Sequence, residues 1–247
     1  LAVDEGAHHA PTRISLEAKR TKNGFQLTGE KRPVLHGMAA AAVLVAARCD
    51  GGVALFLVET DAPGLRRSEL AEIERRGAAI MTLEGVSVGA DAVLGPIGEG
   101  AEMLDYALDC ARAGLAAEMM GGAQAAFDTT IAYLKTRVQF GRLIGEFQAL
   151  QHRASSLLGE LELSRSTVEA ALVALDEDSA DRAELVSLAK AAVGDVFRRA
   201  AGEMIQMHGG IGMTDEHDAG LFLKRARVTD MSFGSAAFHR ERYAAIM

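Results

Sequence analysis

At Gly95-Pro96 the chain changes character, and that change limits it to a two-part α+β fold. Before it, short apolar or alternating runs stand between turn signals. Asn23-Gly24 precedes Phe25-Gln26-Leu27-Thr28, the pattern of a hairpin turn entering a strand. Residues 41–47 and 53–58 are apolar runs on either side of Asp50-Gly51-Gly52, again strand, turn, strand. Thr82 to Val88 alternates in polarity and closes the region. Several strands within residues 1–95 predict a compact sheet or barrel.

After Gly100 the period becomes helical. Leu150, Ala154, Leu157, Leu161, Val168, Leu172 and Leu175 keep to one face. Leu188, Ala192, Val196, Ala200 and Met204 form a second stripe at four-residue spacing. Asp176-Glu177-Asp178-Ser179 reads as the turn between these helices, and Gly209-Gly210 as the stop of the second. A third helix is expected over residues 101–135 and a last one from about Asp218 onward. Residues 96–247 are thus predicted to form an antiparallel four-helix bundle. Leu150, Leu157, Leu161, Leu188, Val196 and Met204 are its expected core.

Bulk properties exclude several classes. A net charge of −8 and a pI near 5.4 argue against a nucleic-acid surface. No apolar run approaches the ~20 residues of a membrane helix. Cys49 and Cys110 are too few for a disulfide framework or a zinc site, and two reduced thiols in a cytoplasmic protein are expected instead. The first residue is Leu1, so a piece of a longer polypeptide is expected.

Two stretches carry the chemistry. In Arg137-Val138-Gln139-Phe140-Gly141 a guanidinium and an aromatic ring project from a helix end, a pair suited to clamping a diphosphate and packing on an adenine. Gln148 could add an amide from the next helix. A helix-terminal arginine favoured by the dipole is the plainer reading. In Gln206-Met207-His208-Gly209-Gly210-Ile211-Gly212 the glycines permit close backbone approach, and their N–H groups can cradle a phosphate. A helix stop followed by a loop accounts for the same residues. No Gly-x-Ser-x-Gly elbow or Gly-x-Gly-x-x-Gly fingerprint is present.

Taken in order, Leu108-Asp109-Cys110-Ala111-Arg112, Arg-x-Gln-Phe-Gly, Phe147-Gln148-Ala149-x-Gln151-His152 and Gln-x-x-Gly-Gly-x-Gly, behind a β region, resemble the acyl-CoA dehydrogenase family. The resemblance implies a small β barrel domain followed by the four-helix bundle, without the family's preceding helical domain. It implies FAD as cofactor, an acyl-CoA thioester as substrate and α,β-dehydrogenation as the reaction. Cofactor contacts fall to Arg137, Phe140, Gln148 and Ser235, and to Gln206, Met207, His208, Gly209 and Gly210. Substrate contacts fall to Asp109 and Arg112. No metal is implied.

The reaction needs a carboxylate base for the α-proton. The two positions the family uses hold Phe233 and Ala111 here, so no catalytic residue is assigned. Asp105, Asp109 and Asp230 are the nearest alternatives. In the β region the family's Gly-Ser-Asp aligns with His9-Ala10-Pro11, its Trp-x-Thr with Pro33-Val34-Leu35, and Glu5 alone of the flavin loop matches. The elements that reach a neighbouring subunit's ADP moiety are kept, whereas those that hold a subunit's own flavin ring are replaced. The chain is therefore read as an oligomer subunit that completes a partner's FAD site, homomeric or paired with a base-bearing subunit. A homomeric dehydrogenase with a relocated base, a non-enzymatic scaffold and a flavin monooxygenase are the alternatives.

Overall fold

The computed structural model describes all 247 residues. The chain parts into two compact units, Leu1–Leu108 and Asp109–Met247. The first holds β1 (Glu17–Thr21), β2 (Gly24–Val34), β3 (Ala42–Cys49), β4 (Gly52–Glu59), β5 (Leu65–Glu69), β6 (Ala79–Gly89) and β7 (Val93–Leu94). These form one sheet in the order β5-β6-β2-β1-β3-β4-β7. All pairings are antiparallel except β1–β3.

The sheet is open, which corrects the expected closed barrel. Its edges, β5 and β7, do not pair with one another. The β5 edge carries Arg66, Arg67 and Glu69, and the β7 edge is only two residues long. Short, charged edges resist further strand addition. The charge on Glu17–Thr21 and Leu65–Glu69 also hides β1 and β5 from a reading based on apolar alternation. The core beneath is assembled from alternate residues such as Leu27, Val45, Phe56, Met81 and Leu83, with Phe25 edge-on to Phe56 at 5.1 Å.

The Asn23-Gly24 hairpin signal holds: Thr21 pairs with Gly24 across a two-residue loop. Gly24 has φ of 143°, and a Cβ there would lie 2.1 Å from the Val88 carbonyl oxygen on β6. Gly24→Ala is expected to cost about 1–3 kcal/mol, because both the dihedral and the space are closed to a side chain. An unchanged thermal midpoint would show that the hairpin does not depend on this contact.

The second unit is built from most of α1 (Gly100–Thr136) with α2 (Gln148–Asp176), α3 (Arg182–His208), α4 (Ala219–Met231) and α5 (Ala236–Ile246). Its core joins Met119, Ala123 and Phe127 of α1 to Leu157, Leu161 and Val168 of α2. From α3 come Val193, Phe197, Ala200 and Met204. Gly122 lets α1 approach α3, since a Cβ there would lie 2.7 Å from the Phe197 ring.

Of the expected core, Leu157, Leu161, Val196 and Met204 are buried. Leu150 is half-buried, whereas Leu188 is 38% exposed. The cause is angular: at ~3.6 residues per turn, each four-residue step drifts by about 40°. Four such steps carry Leu188 to the far side of α3 from Met204. The buried face instead runs through Val186, Ala189, Val193, Phe197, Ala200 and Met204. The single last helix is likewise corrected to two, broken at Phe233 (φ 56°) and Gly234 (φ 106°). Two successive left-handed residues cannot continue a right-handed helix. Ser235 restarts it, its Oγ accepting from Phe238 N at 3.3 Å.

Candidate functional site

The first motif occupies the end of α1 and the hairpin that follows. Arg137 N donates to Tyr133 O, and β8 (Val138–Gln139) then pairs with β9 (Arg142–Leu143). Phe140 (φ 55°) and Gly141 (φ 80°) form the two-residue tip, with the dihedral signs of a type I′ turn. A phenylalanine in the left-handed region is strained, yet its ring is 88% exposed. The fold therefore displays this ring rather than burying it. Behind it Phe147 packs edge-on to Phe140 at 6.1 Å, and the Arg142 guanidinium lies 4.0 Å from the Phe147 ring.

The second motif is brought to the same end of the unit. Leu134, Ile144 and Met207 form a small buried cluster with Phe147 and Leu150 against it, tying the hairpin foot to the end of α3. Tyr133 stacks on His208 at 4.3 Å. Met207 and His208 are buried and support the turn from beneath, whereas Gln206, Gly209 and Gly210 are exposed. A Cβ at Gly209 or Gly210 would meet nothing within 4 Å, so the backbone there is open to approach. Arg137 is exposed on the hairpin side, and Gln148 is exposed at the start of α2. A guanidinium, an aromatic face, amides and unobstructed glycine backbone suit the ADP half of a dinucleotide. Ser235 is placed elsewhere, at the cap of α5.

Pro33 and Leu35 have no hydroxyl or indole, and Ala10 and Pro11 have no polar side chain. Glu5 is consumed by the fold: its carboxylate accepts from Ser15 N (2.8 Å), Ser15 Oγ, Leu16 N (2.9 Å) and Lys31 Nζ (2.7 Å). Burial pushes the Glu5 carboxyl up, but Lys31, Ser15 and Leu16 outweigh it and hold the group below its usual range. Lys31 is fully buried and also donates to Val3 O at 2.9 Å, and His9 is paired with Asp4 at 3.0 Å. The residues present fit the ADP portion of FAD and do not fit its isoalloxazine.

At the break between α4 and α5 the chain builds a buried ionic network. Asp109 and Arg112 are fully buried. Asp109 accepts from Arg112 Nη1 (2.9 Å) and from both Nη atoms of Arg242 (2.9 and 3.1 Å), with Arg182 Nε at 3.8 Å. Arg112 Nε and His239 Nε2 both donate to the Phe233 carbonyl, at 3.2 and 3.1 Å. Lys190 is fully buried and donates to the carbonyls of Thr229 (2.9 Å), Asp230 (3.2 Å) and Gly234 (3.1 Å). It thereby caps α4 and pins the turn. Burial pushes the Lys190 ammonium down to about 8, with Asp230 opposing and Arg112 reinforcing the shift. Asp230 Oδ1 accepts from Ala236 N at 3.3 Å.

Phe233 is thus anchored through its carbonyl by the Arg112 guanidinium and the neutral His239 imidazole, and Gly234 beside it by Lys190. Ala111 is half-buried and carries no proton acceptor. Sequence reasoning singles out neither Lys190 nor Arg242 nor His239. The one available signal is Lys190, a charge within the apolar face between Val186 and Val193.

Residues 98–247 match the acyl-CoA dehydrogenase C-terminal domain family. The chain is 31% identical over 242 residues to the mitochondrial short/branched chain specific acyl-CoA dehydrogenase of Rattus norvegicus, covering 94% of this chain and 56% of that protein. Its fold superposes on the acyl-CoA dehydrogenase of Geobacillus kaustophilus with a TM-score of 0.94 at 26% identity, over 99% of this chain and 67% of the other. It also superposes on a chain of the ChsE4-ChsE5 complex from Mycobacterium tuberculosis, with a TM-score of 0.88 at 28% identity, over 99% and 64%. A two-unit α+β chain with this helical end belongs to the acyl-CoA dehydrogenase family, whose members are FAD-dependent oxidoreductases. It spans a little over half the length of the rat relative. No helix is long and apolar enough to cross a membrane.

Proposed function

We propose that this chain is a subunit of an acyl-CoA dehydrogenase assembly that completes a partner's FAD site and supplies no base of its own. The observation that carries this reading is the split between its two half-sites. Phe140, Gly209 and Gly210 stand open beside the exposed Arg137 and Gln206, whereas Pro33, Leu35, Phe233 and Ala111 offer nothing to a flavin ring or an α-proton. When bound, FAD supplies a hydride acceptor for an acyl-CoA thioester. This chain's part is to hold the ADP portion: Arg137 at the diphosphate, Phe140 at the adenine, and the glycine backbone at a phosphate oxygen.

A relocated base gains no support from Asp109 or Asp230. Asp109 is committed to guanidiniums, and Asp230 accepts from Ala236 N at the start of α5. The two-component naming of the Mycobacterium tuberculosis complex favours a heteromeric assembly for this chain as well.

Flavin titration of the reconstituted assembly tests the reading. Arg137→Ala removes a charge-assisted contact worth about 1.5–3 kcal/mol, so FAD affinity should fall about ten- to hundredfold without loss of this chain's fold. Unchanged affinity, or robust acyl-CoA turnover by this chain alone with an electron acceptor, would overturn it.

A further inference from the structure

The two imidazoles that bracket the glycine turn have opposite tautomers, each fixed by the backbone. His208 closes α3, and its Nδ1 lies 2.7 Å from Met204 O. A carbonyl only accepts, so Nδ1 carries the proton and Nε2 the lone pair. His217 precedes α4, and its Nδ1 accepts from Ala219 N at 3.1 Å. Here the lone pair is on Nδ1. The two rings lie 4.3 Å apart, and Tyr133 of α1 stacks on His208 at the same separation. Tyr133 Oη also reaches His208 O at 3.5 Å.

The turn between the two histidines is folded onto this stack. A Cβ at Gly212 would lie 2.7 Å from Ile205 O and 3.1 Å from His208 Cβ, so the turn closes against the end of α3. Thr214 N and Oγ1 both donate to Ile211 O, at 3.1 and 2.8 Å, and His217 N donates to Thr214 O at 3.4 Å. The conformation of Gly209–Gly212 is therefore clamped at both ends by rings.

We infer that His208 and His217 are positioning residues that hold the Gly209–Gly212 turn in its nucleotide-receiving shape. The inference rests on the proposed role of this turn in FAD binding. His217 Nδ1 holds the first N–H of α4 and fixes the exit of the turn, while the His208 ring supports the turn from beneath. A proton on His208 would put a charge in a buried stack. Burial already lowers the affinity of His208 for a proton, with Met204 O opposing and His217 reinforcing the shift. The titratable groups facing His208 are Tyr133 from α1 and His217 from the approach to α4. Glu216 and Asp218 flank His217, and both are exposed.

The experiment is FAD titration of the full-length assembly. His217→Asn keeps an acceptor for the N–H two residues on, as in an Asx turn, and should retain wild-type affinity. His217→Leu removes that acceptor and should bind about tenfold more weakly, the loss of one partly buried hydrogen bond. His217→Leu binding as wild type, or His217→Asn binding as weakly as His217→Leu, overturns the inference. A fall in affinity for Arg137→Ala alongside any of these leaves the proposed FAD role standing, and an unaffected Arg137→Ala removes that role itself.

Discussion

Replacing Asp109 by alanine is expected to cost about 3–5 kcal/mol of folding free energy, the range for breaking a buried ion pair from one side. Asp109 is the carboxylate shared by Arg112, Arg242 and Arg182, and both it and Arg112 are fully buried. Its loss leaves like charges facing one another in a medium of low effective dielectric, where repulsion is several-fold stronger than in water. The consequence reaches the α4–α5 break, because Arg112 Nε also holds the Phe233 carbonyl. Urea unfolding of wild type and Asp109→Ala measures the cost. The double variant Asp109→Ala/Arg112→Leu should recover part of it, since removing both partners of a buried pair is cheaper than removing one. A loss below about 1 kcal/mol, typical of exposed pairs, would mean that the network is solvated.

Acid should destabilise the second unit well before its exposed carboxylates titrate. His239 is fully buried, and its Nδ1 has no hydrogen-bond partner. Burial first, then Arg112, Lys190 and Arg242, push its imidazolium down to about 2, with the Phe233 carbonyl opposing. The folded value lies below the unfolded value near 6.5, so between the two the unfolded chain binds the extra proton. The contribution of neutral His239 is complete above about pH 6.5 and is lost progressively as pH falls towards 2. At about pH 4.5 the loss is on the order of 3 kcal/mol. His239→Gln cannot take up this proton and should flatten the slope between about pH 6.5 and pH 4.5. Equal slopes in the two proteins would show that His239 reaches water.

Both effects come from contacts that no local pattern announces. Asp109 and Arg242 lie at opposite ends of the second unit's sequence, and what joins them is the packing of α1 and α5 on α3. The same holds for the break at Phe233-Gly234. A helical period runs through the segment, but the backbone turns left-handed where Arg112, His239 and Lys190 offer three anchors for its carbonyls.

The sequence by itself determined the strand-then-helix division, the Asn23-Gly24 hairpin, the existence of the long helices and the family, because each is written in near-neighbour periodicity or in short motifs. Tertiary structure alone decided that the sheet stays open, that Leu188 faces outward and Val193 inward, and that Asp109 meets Arg242 and Arg182 in the interior. It also decided that Phe140 is displayed while Met207 and His208 are buried beneath the glycine turn. The physical reason is common to all four. Burial, edge pairing and the partner of a charge depend on which distant surface arrives at a residue, and local propensity does not encode that arrival.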